Sequence, residues 1–301
     1  MIDYKKLVEA GVHFGHQKTR WNPKMKPYIW GHRKGVHLID ISKTAQNLEK
    51  ASKFLEGIVS EGKTILWVGT KPAAQPIIEK IATNLSEPYI SYRWVGGLLT
   101  NHSQVKKSVT KFLHFEDVLQ RSDEFPYTKK ELSILKKNVD RLRKTIGGII
   151  KLNWPVGAIV VVDVRREATV VKEALQCGVP VVALVDTNSN PTGIDYVVPA
   201  NDDSPKSIKI ILDYLAAAVE KGQEAAKKIK EAKRVEEEKA KELKVASKKE
   251  EKSDNKDKKP DVKVAKTETK KVQTSSLQAD NKKEIATEEQ SDAQADTAET
   301  E

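Results

Sequence analysis

Four imidazoles, His13, His16, His32 and His37, fall within 25 residues near the start of the chain. Imidazole nitrogen is a common zinc ligand, so the set is a candidate metal site. Their spacing is loose, no cysteine stands among them, and the surroundings are cationic, which disfavours a divalent ion. Hydrogen bonding to RNA or to the local fold is therefore the default reading. Two carboxylates, Asp163 and Asp186, follow apolar runs, at strand ends where α/β enzymes place catalytic groups. Neither has an obvious acid or histidine partner in sequence, and capping or loop fixing is the expected role. The short acidic loop Asn201-Asp202-Asp203 offers weak cation binding at most; turn and N-cap duty is favoured. Cys177, the single cysteine, precedes Gly178 in an apolar pattern and reads as a packed thiol rather than a nucleophile. No phosphate loop is present. "VGTKPAAQ" lacks the G-x-G-x-x-G spacing, and Lys71-Pro72 crowds the place where backbone would approach a pyrophosphate.

Binding chemistry is better supplied. Residues 13–35, "HFGHQKTRWNPKMKPYIWGHRKG", carry Lys18, Arg20, Lys24, Lys26, Arg33 and Lys34, together with Phe14, Trp21, Tyr28 and Trp30. No acid occurs between Glu9 and Asp40. Cationic heads neutralise phosphates and release counterions, and flat rings stack on unpaired bases. Two prolines and three glycines rule out a long helix here. An irregular segment of this kind suits a folded RNA surface, with the rings anchoring it and the charges facing out.

The elements that must hold these groups are legible as alternating strands and helices. "TILWVGT" (64–70), "EPYISYRW", "GAIVVVDV" (157–164), "VPVVALVD" (179–186) and "GIDYVVPAND" read as strands. Helical patterns follow, starting near Pro72, over "EATVVKEALQCG" with Gly178 as its stop, and over "SPKSIKIILDYLAAAVEKG" with Ser204 as N-cap and Pro205 in the first turn. Fully apolar strands alternating with helices predict a doubly wound parallel sheet covered on both faces. Between residues 103 and 148 the pattern changes. Val105, Val109, Phe112 and Leu119, then Leu132, Leu135, Val139, Leu142 and Ile146, trace narrow heptad seams. They predict an antiparallel coiled-coil hairpin with arms of roughly 28 Å and a turn at "SDEFPYT". The glycine pairs at 96–97 and 147–148 read as hinges where this arm leaves and re-enters the sheet. The expected organisation is an α/β domain from 1–102 and 149–225, the hairpin at 103–148, and a charged tail at 226–301. That tail is partly helical and then, from about Ser253, disordered.

The chain has 301 residues and a formal net charge of +10. Residues 221–301 hold 21 basic and 20 acidic side chains, so nine of those ten charges belong to residues 1–220. A basic folded face points to a polyanionic partner more strongly than a lysine-rich tail would. One cysteine permits no internal disulfide, consistent with a reducing compartment. No apolar run is long enough to cross a bilayer, and "MIDYKKLVEAGVHFG" has no signal-peptide core. The expected protein is cytoplasmic, without membrane contact, homo-oligomer or cofactor.

Several blocks also resemble one family. "GVHFGHQKTRWNPKMKPYIWGHRKGVHLIDISKT" resembles the N-terminal signature of the S-two family of small-subunit ribosomal proteins. "RWVGGLLTN", "KTIGGI", "VVVDVRREATVVKEA", "GVPVVALVDTNSNP" and "IDYVVPANDDSPKSI" resemble its later blocks, in the same order over residues 1 to 220. The inserted hairpin is similar to the bacterial form. The resemblance implies a flavodoxin-like domain with a protruding coiled coil. It implies a non-catalytic place at the head–body junction of the small subunit, contacting ribosomal RNA and neighbouring proteins and helping to dock the messenger-binding protein S-one. Carried onto this chain, RNA contacts fall on Lys18, Arg20, Trp21, Asn22, Lys24, Lys26, Arg33 and Lys34. The hairpin's Lys106, Lys107, Lys136, Lys137, Arg141 and Arg143 come second. "GHRKG" is more basic than the family's usual "GERNG". The competing reading is a doubly wound enzyme acting on a nucleotide or sugar phosphate through Asp163 and Asp186.

Overall fold

The computed structural model of the protein describes residues 2–121 and 127–253. Backbone contacts divide the chain into two units, Met1–Glu237 and Glu238–Glu301. In the second unit the helix that begins at Pro205 continues to Ser253. The expected disordered stretch and most of the "SDEFPYT" turn lie outside the described residues.

A five-stranded sheet organises the first unit. Its strands are β4 (Thr64–Val68), β5 (Tyr89–Ile90), β6 (Val156–Val162), β7 (Val181–Val185) and β8 (Tyr196–Pro199), in the order β5-β4-β6-β7-β8. All four pairings are parallel. In order of appearance this is 2-1-3-4-5, which fits a flavodoxin-like fold. β6 is buried at all seven positions and β7 at all five. Unbroken apolar runs therefore suit these strands, because neither face meets water.

Alternate residues feed two cores. Ile65, Trp67, Ala158, Val160 and Val162 pack with Leu48 and Leu55 of α2 (Ile41–Ser60), Ile78 of α3 (Gln75–Leu85), and Ile208, Ile211 and Leu212 of α7 (Pro205–Ser253). Leu66, Val68, Ile159 and Val161 pack on the opposite side with Val170 and Ala174 of α6 (Ala168–Cys177). The same core takes in Val105 and Phe112 of α4 (His102–Gln120) and Val139 and Ile146 of α5 (Lys129–Ile146). The remaining expected seam residues, Val109, Leu119, Leu132, Leu135 and Leu142, are half-buried. Arg143 reaches across from α5 to Glu116 of α4 at 2.6 Å. Thr128 and Glu131 form a reciprocal capping box that starts α5.

Local expectations needed three corrections. Pro72 lies in the turn before α3, whose first-turn proline is Pro76. "EPYISYRW" contributes only the two-residue β5. Cys177 is exposed rather than packed, because the helix ends there and turns away through Gly178 in the left-handed region (φ 65°).

The largest departure is the N-terminal segment, which is regular. After a short helix α1 (Tyr4–Glu9), β1 (Phe14–Gln17), β2 (Ile29–Arg33) and β3 (Val36–Ile39) form an antiparallel sheet in the order β1-β3-β2. The prolines sit in a 3-10 turn, Pro23–Tyr28. Lys34 and Gly35, with φ of 49° and 79°, are the two central residues of the β2–β3 hairpin. Positive φ at both matches the twist that two-residue hairpin loops require.

Candidate nucleic-acid interface

The basic segment is fastened to the carboxyl edge of the main sheet by the loop after β7. Thr187 is the main fastener: its Oγ1 accepts from His16 N at 2.8 Å, and its carbonyl accepts from Asn22 N at 2.8 Å. Lys24 Nζ donates to Thr192 Oγ1 at 2.9 Å. At Gly15 the backbone runs so close that a Cβ would lie 2.6 Å from Thr187 Cγ2. On the other flank, Asp40 N donates to the Tyr28 carbonyl at 3.0 Å, and Lys43 Nζ donates to the Pro27 carbonyl. Met25, fully buried, plugs the turn into the second core.

Fixing this backbone sorts the expected RNA-binding residues. Lys18, Arg20, Lys24, Lys26, Arg33 and Lys34 are all exposed, and among the described residues only Lys24 of these six hydrogen-bonds to another side chain. They spread over a 3-10 turn at Lys18–Arg20, the turn at Pro23–Tyr28 and the β2–β3 hairpin. Trp21 and Asn22 do different work. Trp21 is half-buried with its ring 5.3 Å from that of His37. Asn22 Oδ1 accepts from Lys24 N at 3.0 Å and caps the turn. The ring most open to solvent in the segment is Trp30, 76% exposed against 50% for Phe14, and it is not among the expected RNA-binding residues. Alternation along β2 would have found it, had the segment been read as a strand.

The four histidines do not converge. His13 packs on Phe14, its Nδ1 has no hydrogen-bond partner among the described residues, and burial pushes its pKa down. The His37 side chain is buried without a hydrogen-bond partner among the described residues, and His32 is exposed. His16 instead meets acids from two loops. Its Nδ1 lies 3.0 Å from Asp186 Oδ2, and its Nε2 lies 3.3 Å from Asp203 Oδ2. His16, Asp186, Asp202 and Asp203 offer four ligand atoms within 4.8 Å of one another. One imidazole and three carboxylates form a donor set that suits Zn2+ or Mn2+. Asp202 Oδ2 is buried with no hydrogen-bond partner among the described residues.

Lys71 closes the cluster from the loop after β4. Its Nζ is 2.8 Å from Asp202, 2.5 Å from Asp203 and 3.8 Å from Asp163. Burial lowers the Lys71 pKa, but hydrogen bonds to Asp202 and Asp203 outweigh it and the net shift is upward. Burial, reinforced by the charges of Asp186 and Asp163, pushes Asp202 up to about 7. The hydrogen bond to Asp186 raises His16. Asp163 and Asp186 also fix their loops: Asp163 Oδ1 accepts from Arg166 N at 3.2 Å, and Asp186 Oδ1 from Thr187 N at 2.5 Å. Asn201 makes the turn expected of its loop, accepting from Asp203 N and Ser204 N. Neither the partner of Asp186 nor that of Asp163 could be seen in sequence, because His16 and Lys71 arrive from distant segments.

The root of the α4–α5 helix pair depends on a buried acid. Glu173 of α6 accepts from Trp94 Nε1 at 3.0 Å, Gly97 N at 2.9 Å and Leu99 N at 3.2 Å. One carboxylate thus sets the loop that leads into α4. After α5, a Cβ on Gly148 would lie 2.2 Å from the Tyr89 carbonyl oxygen, so the chain leaving α5 returns in direct contact with β5. Lys106, Lys107, Lys136, Lys137 and Arg141 are exposed along the two helices. Arg143 is exposed too, but its guanidinium is bound to Glu116.

Residues 7–222 match the family model described as Ribosomal protein S2. The chain is 42% identical over 237 residues to the small ribosomal subunit protein uS2 of Cytophaga hutchinsonii, covering 79% of this chain and 93% of that protein. It is 43% identical over 224 residues to the small ribosomal subunit protein uS2 of Geotalea uraniireducens, covering 74% and 88%.

Proposed function

The chain belongs to the Ribosomal protein S2 family, and from that premise we propose that it is a structural, non-catalytic constituent of the small ribosomal subunit that binds ribosomal RNA through its N-terminal sheet. The observation that carries the reading is the exposed basic set. Six cationic side chains project from a backbone pinned at Thr187, Asn22 and Met25, with no acid between Glu9 and Asp40. Pinned cations present phosphate-binding geometry at lower entropic cost than a floppy arm, and the exposed Trp30 ring can stack on an unpaired base. Lys71 ties Asp163 to the loop of Asp202 and Asp203, and Asp186 holds His16 of the N-terminal segment, which supports a positioning role over a catalytic one.

The hairpin is the second RNA-binding region, through Lys106, Lys107, Lys136, Lys137 and Arg141. Arg143, already paired, contributes least. Family membership supports neighbouring small-subunit proteins as further partners, the messenger-binding protein S-one among them, at the head–body junction.

The test is the salt dependence of binding to small-subunit ribosomal RNA. Removing one phosphate-binding cation lowers the slope of log K against log salt by about 0.7 to 0.9. Replacing Lys18, Arg20, Lys24 and Lys26 with Gln is expected to lower it by roughly 3. An unchanged slope removes this sheet from the interface.

A further inference from the structure

A second surface has chemistry that neither the N-terminal cations nor the His16–Lys71 cluster uses. In a 2-1-3-4-5 sheet the connections after β4 and β6 leave in opposite directions, and a crevice opens outside their carboxyl ends. Here that crevice is a cleft of ≈ 640 Å3. Thr70 and Gln75 line it from the β4 side, Tyr92 and Arg93 from the loop after β5, and Arg166 and Thr169 from the β6 side. The volume falls within the ordinary range for small-ligand sites, about 300 to 1,000 Å3.

We propose that this cleft is a nucleotide subsite that takes one unpaired nucleotide of RNA, with its base on the Tyr92 ring and its phosphate between Arg93 and Arg166. Tyr92 is 57% exposed. Arg93 and Arg166 are exposed, and neither guanidinium forms an ion pair among the described residues. A guanidinium fork is suited to bidentate phosphate recognition. The acid in the cleft, Glu167, is committed to Thr70, whose Oγ1 donates to it; burial pushes its pKa up although the charge of Arg166 draws it down. The floor is rigid, because the adjoining Trp94 and Gly97 are held by Glu173.

The same residues argue for a nucleotide still joined to its chain. A free mononucleotide in such a fold is gripped by a glycine-rich turn that lets backbone approach the phosphate. Gly69 does not serve that purpose; the space a Cβ would need is filled by Ile78 Cδ1 at 2.2 Å. The groups that remain are exposed side chains at an open mouth, the pattern of single-strand recognition by stacking and guanidinium contacts.

The inference rests on the RNA-binding reading above, and the experiment separates the two. Full-length protein, Tyr92→Ala and Arg93→Gln/Arg166→Gln are titrated with small-subunit ribosomal RNA over a series of salt concentrations. The Lys18/Arg20/Lys24/Lys26 to Gln variant is run beside them. Urea midpoints matching wild type confirm that these surface variants fold. Tyr92→Ala is expected to weaken binding roughly 5- to 150-fold, the range for removal of one base stack. The arginine pair is expected to lower the salt slope by about 1.4, for two phosphate-binding groups on an unpaired strand. Wild-type affinity and slope in both cleft variants, with the lysine variant impaired, overturn the subsite and leave the RNA-binding reading standing. Failure of wild type to bind at all overturns both. A Tm increase with AMP or UMP that is absent from the cleft variants, alongside unchanged RNA binding, assigns the cleft to a free nucleotide and also overturns the proposal.

Discussion

At Gly15, β1 passes the loop after β7 with no room for a side chain. A Cβ there would meet Thr187 Cγ2 at 2.6 Å, Thr187 Oγ1 at 2.8 Å and the His37 carbonyl at 3.2 Å. The Thr187 hydroxyl also accepts the His16 amide, so the clash falls on the bond that fastens the segment. Gly15→Ala is therefore expected to destabilise the protein by about 1–3 kcal/mol, measured by urea denaturation. Thr187→Ser in the same chain removes the methyl and keeps the hydroxyl, and should restore part of the stability. Equal stability of Gly15→Ala and wild type would show that β1 does not run this close. Trp21 and Trp30 differ just as sharply at this scale. They are alike in sequence, yet one packs on His37 and the other stands in solvent.

Among the elements, α6 carries more than its own packing. Its N-terminal neighbour Glu167 holds Thr70 after β4, and its Glu173 holds the loop before α4. Burying a carboxylate is unfavourable unless its lone pairs are filled, and three donors fill those of Glu173. Glu173→Gln keeps the volume but sets an amide N–H against one of those donors. The expected cost is about 1–3 kcal/mol, the penalty for an unsatisfied buried group. Amide exchange at Gly97 and Leu99 should accelerate selectively. Unaltered exchange at both, with stability intact, would remove Glu173 as the holder of the loop before α4. The same scale explains why the N-terminal segment looked irregular in sequence. Its strands are four or five residues long, register shifts interrupt both pairings, and a 3-10 turn carries the prolines. Such strands have too few alternations to announce themselves.

For the molecule as a whole, the cluster of His16, Lys71, Asp186, Asp202 and Asp203 joins the N-terminal segment to the loops after β4, β7 and β8. Its protonation couples to stability. His16, with its pKa raised by Asp186, contributes stability that is complete below about 6.5 and fades as pH rises through its higher folded value. Asp202 is pushed from 3.8 to about 7, so the folded state holds its proton after the unfolded chain has released it. That imposes a penalty that grows above 3.8 and is complete above about 7. Both terms have the same sign between pH 5 and 8. With chelator present, Tm is expected to be lower at pH 8 than at pH 5.5, and Asp202→Asn should flatten the profile. Excess Zn2+ or Mn2+, which takes carboxylate and neutral imidazole, should restore stability at pH 8. A flat profile in the wild type would show that these groups titrate alike in both states.

Composition and periodicity by themselves determined the α/β class, the alternation of main-sheet strands and helices from residue 64 onward, the stop at Gly178 and the concentration of net positive charge in residues 1–220. Each of these follows from local propensity or from the need to bury both faces of a parallel sheet, and both leave a mark every two or every 3.6 residues. Only the tertiary structure decided that the basic segment is a pinned sheet, that Trp30 rather than Trp21 faces out, and that His16 stands beside Asp186. Those outcomes depend on side chains separated by up to about 170 positions meeting at one edge of the sheet. No spacing rule links such residues, because their distance is set by the fold and not by the chain between them.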